Sequence, residues 1–305
     1  MREKSLNKRV LVLGGTQFFG KKLVKKLIAN GEIVTIATRG MSPDPFGEHV
    51  ERLIIDRRDK ESIDSAFTNR EWDIVYDQTC QSPLEAQFTL DALTGKAKRY
   101  IFTSTQAVYE FGVNHVEENF NPYEFTYEVK PREQYSGYEG YQEAKRAAEA
   151  VLFSQKELEV AAVRFPIVIG KDDFTNRLKF HVEKIIEKEP IGITNLEARF
   201  SFILSDDAAS FLYELGASSF TGTINPGCKK DISLRALLDK IEEHTGTKAK
   251  ITDVLTKENA SPYSIGDSWS TNTNKAEKLG FTFADLDETL GHLIDYYTTE
   301  ISQNA

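Results

Sequence analysis

The sequence predicts an α/β fold: a doubly wound parallel sheet with helices on both faces, then a small mixed C-terminal lobe. Three observations carry this. Short apolar, β-branched runs alternate with helix-spaced segments through the first hundred residues. The first run is followed by a glycine-bearing turn and an amphipathic helix. After Arg164 the regular alternation gives way to mixed short strands and helices.

Val10–Leu13 reads as a buried parallel strand. Gly14–Gly20 forms the turn, and Phe18–Ala29 shows helical spacing. Phe19, Leu23, Leu27 and Ile28 mark one face, and Lys21, Lys22, Lys25 and Lys26 the other. Strand, turn and helix in that order bring unpaired N–H groups and the positive helix end to where a pyrophosphate could sit. Gly14 can turn where a Cβ would clash, and Gly20 permits close helix–strand packing. In the spacing G-x-x-G-x-x-G the middle place is held by Gln17. Its Cβ pushes a pyrophosphate outward or demands another backbone path.

Ile33–Thr38 is the second strand, and its end, Thr38-Arg39-Gly40, bears on the cofactor. An NAD site often has an acid there for the ribose hydroxyls. Here no carboxylate repels a 2′-phosphate, and Arg39 can pair with one bidentately, which favours NADP. Arg39 as a solvated loop arginine is the plainer alternative. Met41–Glu48, with two prolines and a glycine, is a loop. Leu53–Asp56 is a third strand, followed by Arg57, Arg58 and Asp59 and a helix over Lys60–Phe67. Asp56 can receive an adenine amino group or serve as a loop or cap residue. Trp72–Asp77 is a fourth strand, Pro83–Leu93 a helix with proline at its start, and Arg99–Thr103 a fifth strand. Ligands of such sheets bind off the carboxyl ends of the strands.

Composition is that of an ordinary soluble chain of 305 residues, 40% hydrophobic and 28% charged. A net charge of −9 argues against broad nucleic-acid affinity, although the lysines of the first helix could form a local patch. Cys80 and Cys228 are too few for a disulfide framework and lack metal-ligand spacing, and the five histidines are scattered, so no metal is expected. No apolar run approaches a membrane span, and Met1–Lys8 lacks a signal sequence's apolar core, so the expected location is cytoplasmic.

Two segments lead to chemistry. Thr103-Ser104-Thr105-Gln106-Ala107-Val108-Tyr109 puts hydroxyls at a strand end. Further on, Gly140-Tyr141-Gln142-Glu143-Ala144-Lys145 opens a helix running to about Lys156. Tyr141 and Lys145 are four apart and share a helical face. An ammonium beside a phenol stabilises phenolate, so Tyr141 can exchange a proton with a substrate hydroxyl or carbonyl. Thr105 can hold that oxygen by hydrogen bond. A Tyr and a Lys at this spacing are otherwise a common surface pair, and the ordered set of turn, hydroxyls and helix raises them above it.

Taken together, Gly14-Gly15-Thr16-Gln17-Phe18-Phe19-Gly20, Asp56-Arg57-Arg58-Asp59, Ser104–Tyr109, Tyr141–Lys145 with Glu149, Arg164–Gly170 and Phe202–Ala208 resemble the extended short-chain dehydrogenase/reductases of the NAD(P)-dependent epimerase/dehydratase group. The resemblance covers most of the chain and implies a Rossmann-type dinucleotide-binding domain over 1–165, with strands returning at about 198–228, and a substrate lobe mainly over 166–305. It implies Tyr141 as acid/base, Lys145 as the residue that tunes it and touches the nicotinamide ribose, and Thr105 as the Ser/Thr partner. Gly14, Thr16, Gln17, Phe18, Phe19, Gly20, Thr38, Arg39, Asp56, Arg57 and Thr103 join them as cofactor candidates, with Pro166 and Val168 along the nicotinamide. Gln106 and Arg177 are substrate candidates; Arg177 is otherwise a surface or salt-bridged arginine. Gln17, Thr38-Arg39 and Asp77-Gln78-Thr79-Cys80 depart from the family pattern.

In the second lobe Leu178–Glu189 reads as a helix and Phe200–Leu204 as a strand. Asp206 reads as the N-cap of a helix to Leu215. Ser233–His244 is a helix capped by Ser233 and ended by Gly246. Ile251–Leu255 is a strand, Pro262–Thr273 a loop in which Trp269 packs near a ligand, and Asp287–Tyr297 a helix. Two functions compete. One is an oxidoreductase, epimerase or dehydratase acting with NADP or NAD on a hydroxyl or ketone of a small molecule, such as a sugar nucleotide. The other is a non-catalytic RNA-binding or nucleotide-sensing protein, since the GGTxFxG form also resembles stem-loop RNA-binding relatives. The intact Tyr141/Lys145 pair and the acidic balance favour the enzyme and make nucleic acid the weaker partner. Homodimerisation through a helix bundle is common in the family.

Overall fold

The computed structural model, which describes residues 7–304, begins with β1 (Arg9–Leu13), fully buried from Val10 to Leu13. A strand covered on both faces shows such a continuous apolar run. In α1 (Phe18–Ala29) the buried residues are Phe18, Gly20, Leu23, Val24 and Leu27. This face is rotated from the expected Phe19–Ile28 stripe because Gly20, lacking a side chain, lies on the inward side. β2 (Ile33–Thr38) and β3 (Val50–Ile54) are joined by a loop with one 3-10 turn, Gly47–His49, and no helix. β3 starts and ends earlier than the expected Leu53–Asp56, because its register runs from Val34↔Val50 to Thr38↔Ile54. Asp56 therefore lies past the strand.

The Asp59 side chain caps α2 (Lys60–Ala66) by accepting from Glu61 N at 3.0 Å. After β4 (Trp72–Asp77), Ser82 caps α3 (Pro83–Leu93). β5 (Ala97–Thr105) is longer at both ends than Arg99–Thr103, and it pairs with β4 from Trp72↔Ala97 onwards. β6 (Gly112–His115) precedes α4 (Gly137–Ser154), which begins three residues before the expected Gly140. Buried Ala144, Ala147 and Ala148 keep the inward face of α4 slim.

Next come β7 (Glu159–Phe165), β8 (Ile167–Ile169), α5 (Arg177–Ile186), β9 (Pro190–Gly192) and β10 (Arg199–Leu204). α6 (Ser205–Ala217) starts one residue ahead of Asp206, which is thus inside the first turn rather than at the N-cap; an acid there still favours the positive helix end. β11 (Gly222–Ile224) and β12 (Asp231–Ser233) lead to α7 (Leu234–Thr245). Ser233 Oγ caps this helix on Ala236 N, and left-handed Gly246 ends it. β13 (Lys250–Thr252) is shorter than expected. Within the supposed Pro262–Thr273 loop lies β14 (Trp269–Thr271), too short to show alternation in sequence. α8 (Asn274–Lys278) and α9 (Leu286–Asn304) complete the described chain.

The chain divides into two compact units. The first holds residues up to Tyr109, Glu117–Arg164 and Ala209–Ile224; the second holds Glu110–Val116, Phe165–Ala208 and residues from Asn225. In the first, a seven-stranded parallel sheet runs in the order β11-β7-β5-β4-β1-β2-β3. Strand order reverses at β1, so the switch point at which sheets of this kind bind ligands lies at the carboxyl ends of β1 and β4. A mixed sheet, β12-β10-β14-β6 with β8 also on β10, organises the second unit, beside a β13-β9 pair.

The first unit buries a paired acid and base. Arg164 and Glu149 are both fully buried, 2.7 Å apart. The Arg164 guanidinium also donates to the Tyr109 hydroxyl and to the carbonyls of Glu117 and Phe120. Such a pair is costly to break, because either charge left alone has no water. Each unit also buries one cysteine, Cys80 and Cys228, and burial pushes both thiols up to about 12.

Fully buried His181, in the second unit, stacks on Tyr263 at 4.9 Å. The Arg177 carbonyl, 2.8 Å from Nδ1, can only accept, so Nδ1 carries the proton and Nε2 accepts from the Ser261 hydroxyl at 2.7 Å. Burial lowers this imidazole to about 4 from 6.5. Above pH 7 it is neutral in both folded and unfolded chains. As pH falls below 6.5 the unfolded chain takes up a proton that the folded one refuses, so stability falls. Urea titrations should lose about 2–3 kcal/mol through this group between pH 7 and 4.5. His181→Gln should be correspondingly less pH-sensitive, and an equal loss in that variant would refute the assignment.

Candidate functional site

The turn after β1 is built around glycine. Gly14 and Gly15 have φ of +101° and +84°, in the left-handed region. Gly14 N donates to Ala37 O at 2.9 Å, tying the turn to β2. A Cβ on Gly14 would stand 2.6 Å from Thr79 Cγ2, and one on Gly20 would stand 2.1 Å from Gln78 Oε1. Gln17, at the missing glycine's place, is extended and exposed and gives α1 no capping side chain; the first turn of α1 holds no acid. Phe18 takes a φ of +48°, unusual for a non-glycine residue. Thr16 and Phe19 are half-buried beside it.

At the end of β2, Thr38 Oγ1 accepts from Gly40 N at 3.1 Å, and Arg39 is exposed. Asp56 pairs with Arg58 at 2.6 Å. Hydrogen bonds from Arg58 and, at longer range, the Arg39 charge hold its carboxyl well below the usual range. Arg57 turns inward. Its guanidinium meets the fully buried Asp77 at 2.8 Å and also donates to Thr79 Oγ1 and Thr89 Oγ1. Burial would raise the Asp77 carboxyl, but Arg57, the Tyr100 hydroxyl and the Thr79 N–H outweigh it and lower it.

The Lys145 ammonium is buried where β4 and β5 end. Nζ donates to Thr103 O at 2.8 Å and Cys80 O at 3.1 Å, and lies 4.2 Å from the Phe102 ring centre. One helical turn earlier, Tyr141 is 43% exposed. Thr105 Oγ1 accepts from Ala107 N at 3.1 Å, which leaves its hydroxyl proton free to donate elsewhere. The Ser104 hydroxyl bonds to Glu149, fixing the strand end to α4.

The first unit holds the glycine turn, Thr38-Arg39, Asp56, Thr103, Thr105, Gln106, Tyr141 and Lys145, with Lys145 bonded to the Thr103 carbonyl. Pro166, Val168 and Arg177 belong to the second unit. There Pro166 lies close to Gly227, Val168 pairs with Ile203, and Arg177 Nε donates to Thr175 Oγ1 at 2.9 Å. Trp269 is buried against Phe111, ring centres 5.5 Å apart. The Asp77 network escaped the sequence reading. Its one signal was an acid at a strand end in a chain with Arg57 just after the preceding strand.

These residues fit a nicotinamide dinucleotide. Gly14, Gly15 and Gly20 keep Cβ atoms out of their three places in the turn, and α1 presents an N-terminus without a capping side chain or an acid. Buried Thr103 Oγ1, Gln106 Oε1 and Gln78 Nε2 have no hydrogen-bond partner among the described residues. A bound ligand is one way in which such groups find partners. Among the described residues no group of three or more His, Cys, Asp or Glu could hold a metal ion, and no helix is long and apolar enough to cross a membrane.

Residues 10–222 match the sequence model of the NAD dependent epimerase/dehydratase family. The chain is 27% identical over 229 residues, 70% of its length, to the chloroplast stem-loop binding protein of 41 kDa b of Arabidopsis thaliana. It is 27% identical over 270 residues, 81% of its length, to an uncharacterized protein of Sinorhizobium fredii. The matched stretches span 56% and 63% of those curated relatives' own lengths. Among solved structures it is similar to the UDP-glucose 4-epimerase of Thermus thermophilus in complex with NAD. The TM-score is 0.71 at 20% identity, over 95% of this chain and 99% of that one. That likeness shows a shared fold.

Gly14→Ala should destabilise the first unit by about 1–3 kcal/mol, from left-handed strain and the clash with Thr79. Adding Thr79→Ser, which removes the offending methyl, should recover part of the loss in urea titrations. No recovery would mean that the clash carries none of the cost.

Proposed function

Because the chain belongs to the NAD dependent epimerase/dehydratase family, we propose that it is a NAD(P)-dependent oxidoreductase, epimerase or dehydratase acting on a hydroxyl or ketone of a nucleotide sugar. The observation that carries this reading is Lys145: an ammonium buried at the carboxyl edges of β4 and β5, one helical turn from an exposed phenol. The solved UDP-glucose 4-epimerase neighbour supports the substrate class.

In this reading Gly14, Thr16, Gln17, Phe18, Phe19 and Gly20 hold the pyrophosphate on the N-terminus of α1. Thr38, Arg39 and Asp56 face the adenosine end, and Thr103 lies towards the nicotinamide ribose. A bound nicotinamide dinucleotide supplies the hydride acceptor and donor. Tyr141 exchanges a proton with the substrate oxygen, and Thr105 donates a hydrogen bond to that oxygen. Lys145 spends two of its three N–H donors on backbone carbonyls, which leaves one with which to serve the phenol or the ribose. Gln106, in the first unit, meets the substrate. Arg57 acts from inside the fold rather than on the cofactor.

The similarity to a stem-loop binding protein favours a second reading, an RNA-binding protein on the same fold. Against it stands a net charge of −9.

With NAD and UDP-glucose as probes, Tyr141→Phe should cut turnover by at least about a hundredfold and leave NAD affinity within about threefold. A fully active variant would overturn the role given to Tyr141. A chain with no turnover but an RNA stem-loop affinity that drops steeply with salt would support the second reading.

Cofactor choice is separable. NADP should bind more tightly than NAD, by about tenfold for one charge-assisted pair, and Arg39→Ala should narrow the gap. Equal affinities in the unaltered protein would strip Arg39 of this role.

A further inference from the structure

We propose that Asp77 is a positioning residue: it fixes the turn after β4 so that the Cys80 carbonyl holds the Lys145 ammonium in place. The inference rests on the role given above to Lys145. Asp77 Oδ1 accepts from both Thr79 N and Cys80 N at 3.1 Å. Two successive N–H groups on one carboxylate oxygen fix the peptide planes that follow the strand. Cys80, so oriented, presents its carbonyl 3.1 Å from Lys145 Nζ. Arg57 donates to both carboxylate oxygens, to Oδ2 at 2.8 Å, and Oδ2 also accepts from the Tyr100 hydroxyl. Asp77 is fully buried, so a neutral cap would leave Arg57 as a lone interior charge, and an uncapped turn would leave two N–H groups without acceptors. One side chain thus meets three demands: it balances Arg57, caps the turn and aims a carbonyl.

The alternative is that Asp77 only holds the sheet edge together. The two roles differ in which half of a dinucleotide they touch. Lys145 acts at the nicotinamide ribose, so faulty positioning should weaken NADH far more than ADP. A general collapse of the edge, where Thr79 stands over Gly14, should weaken both alike.

Three variants serve the test. Asp77→Glu keeps the charge for Arg57 but displaces the capping oxygens by one methylene. The pair Arg57→Met/Asp77→Leu removes both charges and the cap, whereas Arg57→Met/Asp77→Asn removes the charges and keeps an acceptor. NADH and ADP dissociation constants are read by fluorescence and calorimetry, with urea unfolding as a check on the fold. Asp77→Glu and the Leu pair should lose about tenfold in NADH affinity, with a loss at least about fivefold smaller for ADP. The Asn pair should bind NADH several-fold more tightly than the Leu pair. Lys145→Met added to Asp77→Glu should cost little more than either change alone, as expected for residues acting through one contact. Equal losses for NADH and ADP, or additive losses with Lys145→Met, would overturn the positioning role. If the unaltered protein binds no NADH, the proposed function itself fails, which is a distinct result.

Discussion

A carboxylate that water does not reach, Asp77, faces a guanidinium that enters from the loop after β3, Arg57. Neither ion could be buried alone. Their pairing lets β4 end on a charged residue at the centre of a sheet whose core cluster is mainly aliphatic and aromatic. The pair touches β4 itself, the loop after β3, Tyr100 on β5 and Thr89 on α3. Four elements are therefore fixed relative to one another at the edge where ligands of parallel sheets bind.

The same logic recurs one layer away. Glu149 on α4 neutralises Arg164 and accepts from Ser104, so α4, the end of β5 and the loop around Glu117–Phe120 share one buried anchor. α4 carries Tyr141 and Lys145, which makes the orientation of this helix matter. Between the two ionic clusters the Lys145 ammonium lies over Phe102 and under two strand-end carbonyls. Side chains held this way lose little freedom when a ligand arrives, and this is how a scaffold prepares a site in advance.

The large sheet was legible because buried parallel strands announce themselves as unbroken apolar runs; β2, β4, α1 and α3 have the bounds that their spacing and flanking glycines or caps suggest. Less legible were elements whose limits are set by partners. β3 shifts by its register with β2, and β14 is only three residues long, so neither leaves a period in the sequence. The glycine turn and the Tyr141/Lys145 spacing could be read as candidate chemistry. The Asp77 network could not, since it joins residues 20 and 23 apart in the chain by side-chain geometry alone. Buried polar clusters have no periodicity, and only the folded sheet brings their members together.

The two thiols have a further consequence. Cys80 lies in the first unit and Cys228 in the second, each shielded and each protonated at neutral pH. An alkylating reagent attacks thiolate, so it finds neither sulfur until the surrounding unit opens. The polypeptide thus carries one latent chemical clock in each half. The rate at which each sulfur becomes modified would report how often that half comes apart, independently of its neighbour.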